Sequence, residues 1–170
     1  QAISLAIDGE KLVDVIWFGN GKPAAGPIVS GNPHHFDKSL KPLEYNVAKA
    51  NALLDEAGYP RGAGGVRFKL TQNWLPYGEE WVRQAEFIRQ ELGKVGIQIE
   101  LQSTDMGGWL KRIYTDWTYD FTSNFTHNYV DPTIGAQRAF TTDNIKKGAS
   151  FSNSMNYSNP RVDELFKKAA

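Results

Sequence analysis

The chain has 170 residues, enough for one domain with a substantial core. Its 19 basic and 19 acidic residues cancel without forming a basic stripe, which argues against a nucleic-acid partner. Cysteine is absent, which excludes disulfides, thiol catalysis and cysteine metal sites. No apolar run approaches the length of about 18 residues that would predict a membrane-spanning helix.

The first third of the chain predicts two helical regions separated by a long irregular segment. Residues 2–17 predict a helix with a break at Asp8, whose carboxylate can cap the second part. Residues 19–42 are rich in Gly and Pro, and a structureless segment of this length is usually functional or held down by a neighbour. Asn46 is predicted to cap a helix over residues 47–57.

A βαβ unit follows. Residues 66–70 and 97–101 both alternate apolar and polar side chains, the pattern of a strand with one buried face. Residues 77–95 between them carry apolar side chains at helical spacing. Because a helix connects the strands, we expect the strands to be parallel, with a right-handed crossover.

The last third predicts a short helix capped by Asp105, a third strand over residues 119–125, and a helix that starts at Pro132. A final helix is predicted to begin at Asn159. Both ends of the chain lie inside apolar helical patterns without capping residues, so we expect a piece of something larger.

The sequence predicts neither a metal site nor a catalytic site. His34 and His35 are adjacent, so their rings point apart in most backbones, and no third ligand follows at a suitable spacing for zinc. Three aspartates could supply a carboxylate pair for glycoside hydrolysis, but nothing fixes their separation: Asp116, Asp120 and Asp131. Without a nucleophile elbow or phosphate loop either, no enzyme is predicted.

Aromatic residues crowd the stretch from Trp109 to Pro132, beside amides and hydroxyls. Such rings line small-molecule pockets, but they also fill cores. Ligands of open α/β sheets sit beyond the carboxyl ends of strands. This position favours Trp109 and Phe125 as a ligand wall, together with Trp74 and Tyr77 after the first strand. The choice between pocket and packing stays open at this point.

Several segments, in their order and spacing along the chain, carry a resemblance: QAISLAID at 1–8, KLVD at 11–14, the glycine-rich loop at 19–27, YNVAKA at 45–50, LLDEAGY at 53–59, LGKVGI at 92–97, YDF at 119–121, DP at 131–132 and NYSNPRVDEL at 156–165. Taken together, they resemble the C-terminal lobe of the family 5 extracellular solute-binding proteins, the dipeptide-, oligopeptide- and nickel-binding receptors of ABC importers.

The resemblance implies an α/β fold, one lobe of a type II periplasmic-binding-protein fold with its βαβ unit in a mixed sheet flanked by helices. Residues 1–170 would be a single partial domain that lacks the N-terminal lobe and the C-terminal end. The full protein would be a periplasmic or lipoprotein-anchored monomer without a cofactor. It would close on a peptide or similar solute and deliver it to the transmembrane subunits of a permease. The alternatives are a sensor or docking subunit of the same fold, and a receptor for a sugar, opine or amino-acid derivative.

The resemblance also implies which residues line the pocket: Trp74, Tyr77, Trp109, Phe125, His127, Asn128, Tyr129 and Asp131. In peptide-binding members of the family, an aspartate at the position of Asn128 takes the peptide's α-amino group. An amide cannot supply the charge that a desolvated ammonium needs. The ligand would then be a peptide held in another way or another solute, with Asp131 as an alternative acid.

Overall fold

A computed structural model describes residues 1–127, 129–131 and 133–169. The helices and strands are α1 (Ala2–Ala6), α2 (Gly9–Ile16), α3 (Val47–Glu56), β1 (Phe68–Trp74), α4 (Glu79–Lys94), β2 (Ile97–Gln102), α5 (Met106–Leu110), β3 (Phe121–Ser123), α6 (Ala136–Phe140) and α7 (Pro160–Ala169). They pack into two compact units, the first formed by residues 1–23, 42–104 and 120–123 and the second by 24–41, 105–119 and 124–170.

The first unit is built on a three-stranded sheet in the order β2-β1-β3. Phe68 pairs with Ile97 in the parallel β1–β2 ladder, and Gln72 pairs with Phe121 in the parallel β1–β3 ladder. Helices α1, α3 and α4 bury their apolar faces with β2 in one core: Leu5, Ala6, Ala50, Leu54, Ile88, Leu92, Val95, Ile97 and Ile99. The predicted parallel βαβ unit is therefore confirmed.

Local capping determines where several helices begin. Asp8 accepts a hydrogen bond from the Lys11 N–H at the start of α2, so the predicted break after α1 is confirmed. Asn46 accepts one from the Lys49 N–H at the start of α3, as predicted. Asp105 caps α5 through the Gly108 N–H in the same way.

Arg67 ties the start of β1 to the ends of two helices. Its side chain is only 2% exposed. Nε donates to the Val95 carbonyl at 2.8 Å, and the terminal nitrogens donate to Asn51 Oδ1, the Tyr59 carbonyl and the Asp55 carboxylate. This guanidinium therefore satisfies backbone groups that the turns after α3 and α4 leave without helical partners.

In the second unit, α5 continues into a wider π-helical segment, Lys111–Asp116, which ends at Trp117 in the left-handed conformation with φ 57°. The apolar side chains of these turns, Trp109, Ile113 and Tyr114, are buried. Helix α7 begins at Pro160, with Asn159 accepting the N–H groups of the first turn, as predicted.

Several boundaries differ from prediction. Strand β1 runs to Trp74 rather than residue 70, and β3 covers only Phe121–Ser123. Pro132 lies outside the described residues, and the helix expected there begins later, at Ala136. The described strands are all parallel, so the predicted mixed sheet is not seen among them. No helix in the described part of the chain has the length and hydropathy needed to cross a membrane.

Candidate functional site

The carboxyl ends of the three strands lie along one edge of the sheet in the first unit, because the strands are parallel. Trp74 is the last residue of β1 and is partly exposed, and Tyr77 follows in the next loop with 63% of its surface exposed. Two aromatic side chains therefore stand at the edge where open α/β sheets bind ligands.

Two carboxamides are buried at the same edge. Gln72 Nε2 donates to Ser123 Oγ at 2.9 Å, and Asn73 Nδ2 donates to the Gln102 carbonyl at 3.2 Å. Their oxygens, Oε1 and Oδ1, have no partner among the described residues. These amides join the ends of the three strands. The sequence does not reveal them, because consecutive polar residues such as Gln72 and Asn73 are typical of a solvent-facing segment.

Asp120 fixes the short third strand. Its Oδ2 accepts both the Thr71 N–H at 2.6 Å and the Thr71 hydroxyl at 2.8 Å. At the other end of β3, the Ser123 carbonyl accepts the Leu75 N–H. The carboxylate thus holds β3 against β1 at the start of the ladder.

In the second unit, alternate residues after β3 place three rings in contact. We call the described residues 125–127 and 129–131 the ring loop. The Phe125 and His127 rings meet edge to face with centroids 5.0 Å apart, and the His127 and Tyr129 centroids lie 5.9 Å apart. His127 and Tyr129 are exposed, so the loop presents aromatic surface together with an imidazole and a phenol. Such groups can stack on a solute and form hydrogen bonds with it.

The side-chain amide of Asn32, which is far from the ring loop in sequence, forms hydrogen bonds with its backbone. Asn32, which is 8% exposed, donates from Nδ2 to the Tyr129 carbonyl at 3.0 Å and to the Val130 carbonyl at 2.9 Å. Asn32 lies in the Gly- and Pro-rich segment 19–42, for which the sequence predicts a functional role or attachment to a neighbouring part of the chain. One turn of this segment contacts the ring loop.

Asp131 closes the ring loop with a turn. Its Oδ1 accepts the Thr133 N–H at 2.8 Å and the Thr133 hydroxyl at 2.7 Å. These bonds, with a smaller contribution from the charge of His35, hold the pKa of the Asp131 carboxyl below its ordinary value. Asp131 is therefore ionised at neutral pH and already has a turn-forming role, which is the alternative to binding a ligand.

Trp109 lies inside the second unit. It is fully buried, with its ring centroid 5.7 Å from that of Tyr114 and 6.3 Å from that of Phe151. Burial also raises the pKa of Tyr114 to about 12, although a hydrogen bond from Asn124 opposes part of the shift. This position favours packing over ligand binding for Trp109.

Asn128, the residue on which the expected ligand chemistry turns, lies outside the described residues. Two other aspartates have local partners. Asp37 accepts the Ser39 N–H and hydroxyl, and Asp116 pairs with Lys111.

The fold of the chain defines its class of protein. In solved structures, the chain resembles the periplasmic binding protein DppA from Helicobacter pylori in complex with a peptide, with a TM-score of 0.82, 24% identity and coverage of 98% of this chain and 31% of the other. It also resembles AgaA of A. tumefaciens R10 in complex with agropinic acid, with a TM-score of 0.79, 25% identity and coverage of 100% and 34%. The architecture is thus that of the type II periplasmic binding proteins.

Sequence comparison gives the family. The model for bacterial extracellular solute-binding proteins, family 5 (middle region), matches residues 1–147. The glutathione-binding protein GsiB of Pectobacterium atrosepticum is 34% identical over 110 residues, which are 63% of this chain and 20% of that protein. The chain belongs to the family 5 bacterial extracellular solute-binding proteins, and it spans between a fifth and a third of the length of these relatives.

Proposed function

We propose that the chain supplies one wall of the solute site in the substrate-binding component of an ABC importer. The observation that carries the proposal is the ring loop, where exposed His127 and Tyr129 continue a ladder of aromatic contacts from Phe125 in a chain of the solute-binding family. Trp74 and Tyr77 add aromatic surface at the strand edge of the first unit.

In this proposal the ligand is a peptide or a similar small solute. Aromatic faces would stack on it, the His127 imidazole and the Asn128 amide would form hydrogen bonds with it, and Asp131 would supply negative charge nearby. GsiB is named as glutathione-binding and the DppA structure contains a peptide, which supports this ligand class. Residues 1–170 form part of one lobe, and a second lobe would close over the solute and bury it.

The whole receptor works outside the cytoplasmic membrane, in the periplasm or on a lipid anchor. It is a monomer that delivers its solute to the transmembrane subunits of a permease. It performs no catalysis, because its aspartates at 116, 120 and 131 each have a structural partner: Lys111, Thr71 and Thr133.

A non-peptide solute is the second candidate. A neutral amide at position 128 cannot balance an α-ammonium group, whereas it can form hydrogen bonds with the hydroxyl or amide groups of an opine or sugar. The AgaA structure, which contains agropinic acid, shares the fold at 25% identity and supports this candidate.

The charge at position 128 separates these candidates. In the full-length receptor, Asn128→Asp should strengthen binding of dipeptides with a free α-amine by about tenfold, because a charge-assisted hydrogen bond replaces a neutral one. Calorimetry with a dipeptide panel, including N-acetylated forms that should gain nothing, measures the effect.

Asn20→Asp, at an exposed position in the first unit, makes the same charge change and serves as the matched control. If the panel shows no gain with Asn128→Asp, residue 128 does not occupy the amine position.

A further inference from the structure

We propose that Asn32 is a positioning residue for solute binding, because its side-chain amide holds the ring loop in the arrangement that presents His127 and Tyr129. This inference rests on the proposed function and extends it to a residue 97 positions away from Tyr129 in the sequence. The two backbone carbonyls that Asn32 binds belong to consecutive residues, Tyr129 and Val130, so the amide fixes the direction of the peptide unit between them.

Asn32 is itself held in place by a tight turn. Its N–H donates to the Val29 carbonyl at 3.0 Å, and its own carbonyl accepts the N–H groups of His35 at 3.2 Å and Phe36 at 3.0 Å. An amide that is anchored through its backbone and only 8% exposed loses little freedom when it binds the loop. The segment that contains Asn32 therefore acts as a rigid support.

The ring loop needs this support because its own side chains are poorly buried. Tyr129 is 51% exposed and Val130 is 83% exposed, so their apolar contacts contribute little to holding the backbone. Hydrogen bonds from Asn32 to carbonyls within the loop supply the constraint that packing does not.

Gly135 lies close to the same loop, where only glycine leaves enough space. A Cβ added at Gly135 would stand 2.3 Å from the His127 carbonyl oxygen and 3.2 Å from Cδ2 of the Tyr129 ring. The backbone of Gly135 has φ −101°, which other residues adopt, so lack of space and not conformation requires glycine here. Asn32 thus binds the loop after position 128 in the sequence, and the absence of a side chain at Gly135 leaves room for the backbone before it.

A loop held before the solute arrives has less conformational entropy to lose on binding. Replacing Asn32 by Asp keeps the size of the side chain, removes the N–H donors and places a carboxylate beside two carbonyl oxygens. Asn32→Asp should therefore release the ring loop while the sheet of the first unit stays folded.

Chymotrypsin cleavage of the ligand-free, full-length receptor tests this release without any ligand. We expect Asn32→Asp to raise the rate of cleavage after Tyr129 by about fivefold, from the loss of hydrogen bonds to the loop. Cleavage after Tyr77, an exposed tyrosine of the first unit, is the internal reference and should not change. Asn20→Asp, the exposed control, should alter neither rate.

Gly135→Ala provides a second route to the same effect, because its methyl group must displace the His127 carbonyl. For both variants, calorimetry with a solute that binds the wild-type receptor should show affinity reduced by about tenfold, from the added ordering cost. An unchanged ratio of cleavage after Tyr129 to cleavage after Tyr77 in both variants overturns the inference. Unchanged affinity overturns it as well.

The failure of the proposed function would look different. If the wild-type receptor binds no solute in a broad screen, the proposed function fails, and the cleavage ratio still decides whether Asn32 holds the ring loop.

Discussion

Arg67 illustrates how much one side chain can organise in the first unit. Its guanidinium is buried and binds the carbonyls of Tyr59 and Val95 together with two side chains. Replacing it by methionine keeps an unbranched apolar stem but removes the guanidinium and every donor. The free energy of unfolding should fall by about 3 kcal/mol, because the carbonyl of buried Val95 and the side chains around the guanidinium lose their partner. Urea denaturation measures the change.

Arg83→Met is the matched control for this substitution. Arg83 forms an exposed pair with Glu79 one turn away on α4, and such pairs contribute only about 0.3–0.5 kcal/mol. Equal losses in the two variants would show that the buried network contributes no more than a surface ion pair.

Tyr114 gives the molecule a predictable response to alkaline pH. Burial raises the pKa of Tyr114 from an ordinary value of 10.0 to about 12, so the folded chain keeps the phenol neutral where the unfolded chain ionises it. Stability linked to this group is fully present below pH 10.0 and is lost as pH rises toward about 12.

Tyr114→Phe should therefore flatten the fall in unfolding free energy over that pH range. At neutral pH it should cost about 1 kcal/mol, because the Asn124 amide loses the phenol oxygen as its acceptor. Denaturant titrations at a series of pH values test both effects. A slope identical to that of the wild type would mean that the phenol ionises equally in both states.

At the scale of single elements, β3 depends on one carboxylate. The strand has three residues and joins the sheet beside the Thr71 groups that bind Asp120. Asp120→Ala removes that acceptor, so the unfolding free energy should fall by about 1–3 kcal/mol and the β1–β3 ladder should open locally.

Hydrogen exchange locates the effect of Asp120→Ala. The Leu75 amide, which is bonded to the Ser123 carbonyl, should exchange faster, while amides in the β1–β2 ladder keep their protection. Asp14→Ala, at an exposed position on α2, is the control and should change neither. Uniform loss of protection would show that Asp120 supports the whole sheet and not β3 alone.

The elements also show which parts of the fold the sequence makes predictable. Asp8, Asn46 and Asp105 predict the starts of α2, α3 and α5. Each capping side chain accepts the backbone N–H of the residue three positions later, so the pattern is readable from local sequence. The apolar pattern predicts an end for β1 that is too early, because Gln72 and Asn73 interrupt it, although both are buried and bonded to neighbouring strands.

The candidate site was predictable only in part. Aromatic residues after β1 and β3 follow from strand position, and the exposure of Tyr77 and Tyr129 agrees with it. The burial of Trp109 depends on Phe151, which lies far along the chain, so no local pattern reveals it. The same is true of the bond from Asn32 to the ring loop, which closes a long sequence separation.

At the scale of the whole molecule, the chain covers about a third or less of its relatives. The proposal places one wall of the solute site here and the facing wall in another lobe. Affinity should therefore depend on both, because closure of two lobes removes far more solute surface from water than one wall does. Residues 1–170 expressed alone should bind weakly or not at all.

The decisive measurement is calorimetry of one solute with two proteins. A thermal-shift screen of the full-length receptor first selects a solute that raises its melting temperature by mass action. That solute should bind the full-length receptor with a micromolar or lower Kd and give no measurable binding to residues 1–170, whose folding is checked by circular dichroism. Micromolar binding by residues 1–170 alone would contradict a site shared between two lobes.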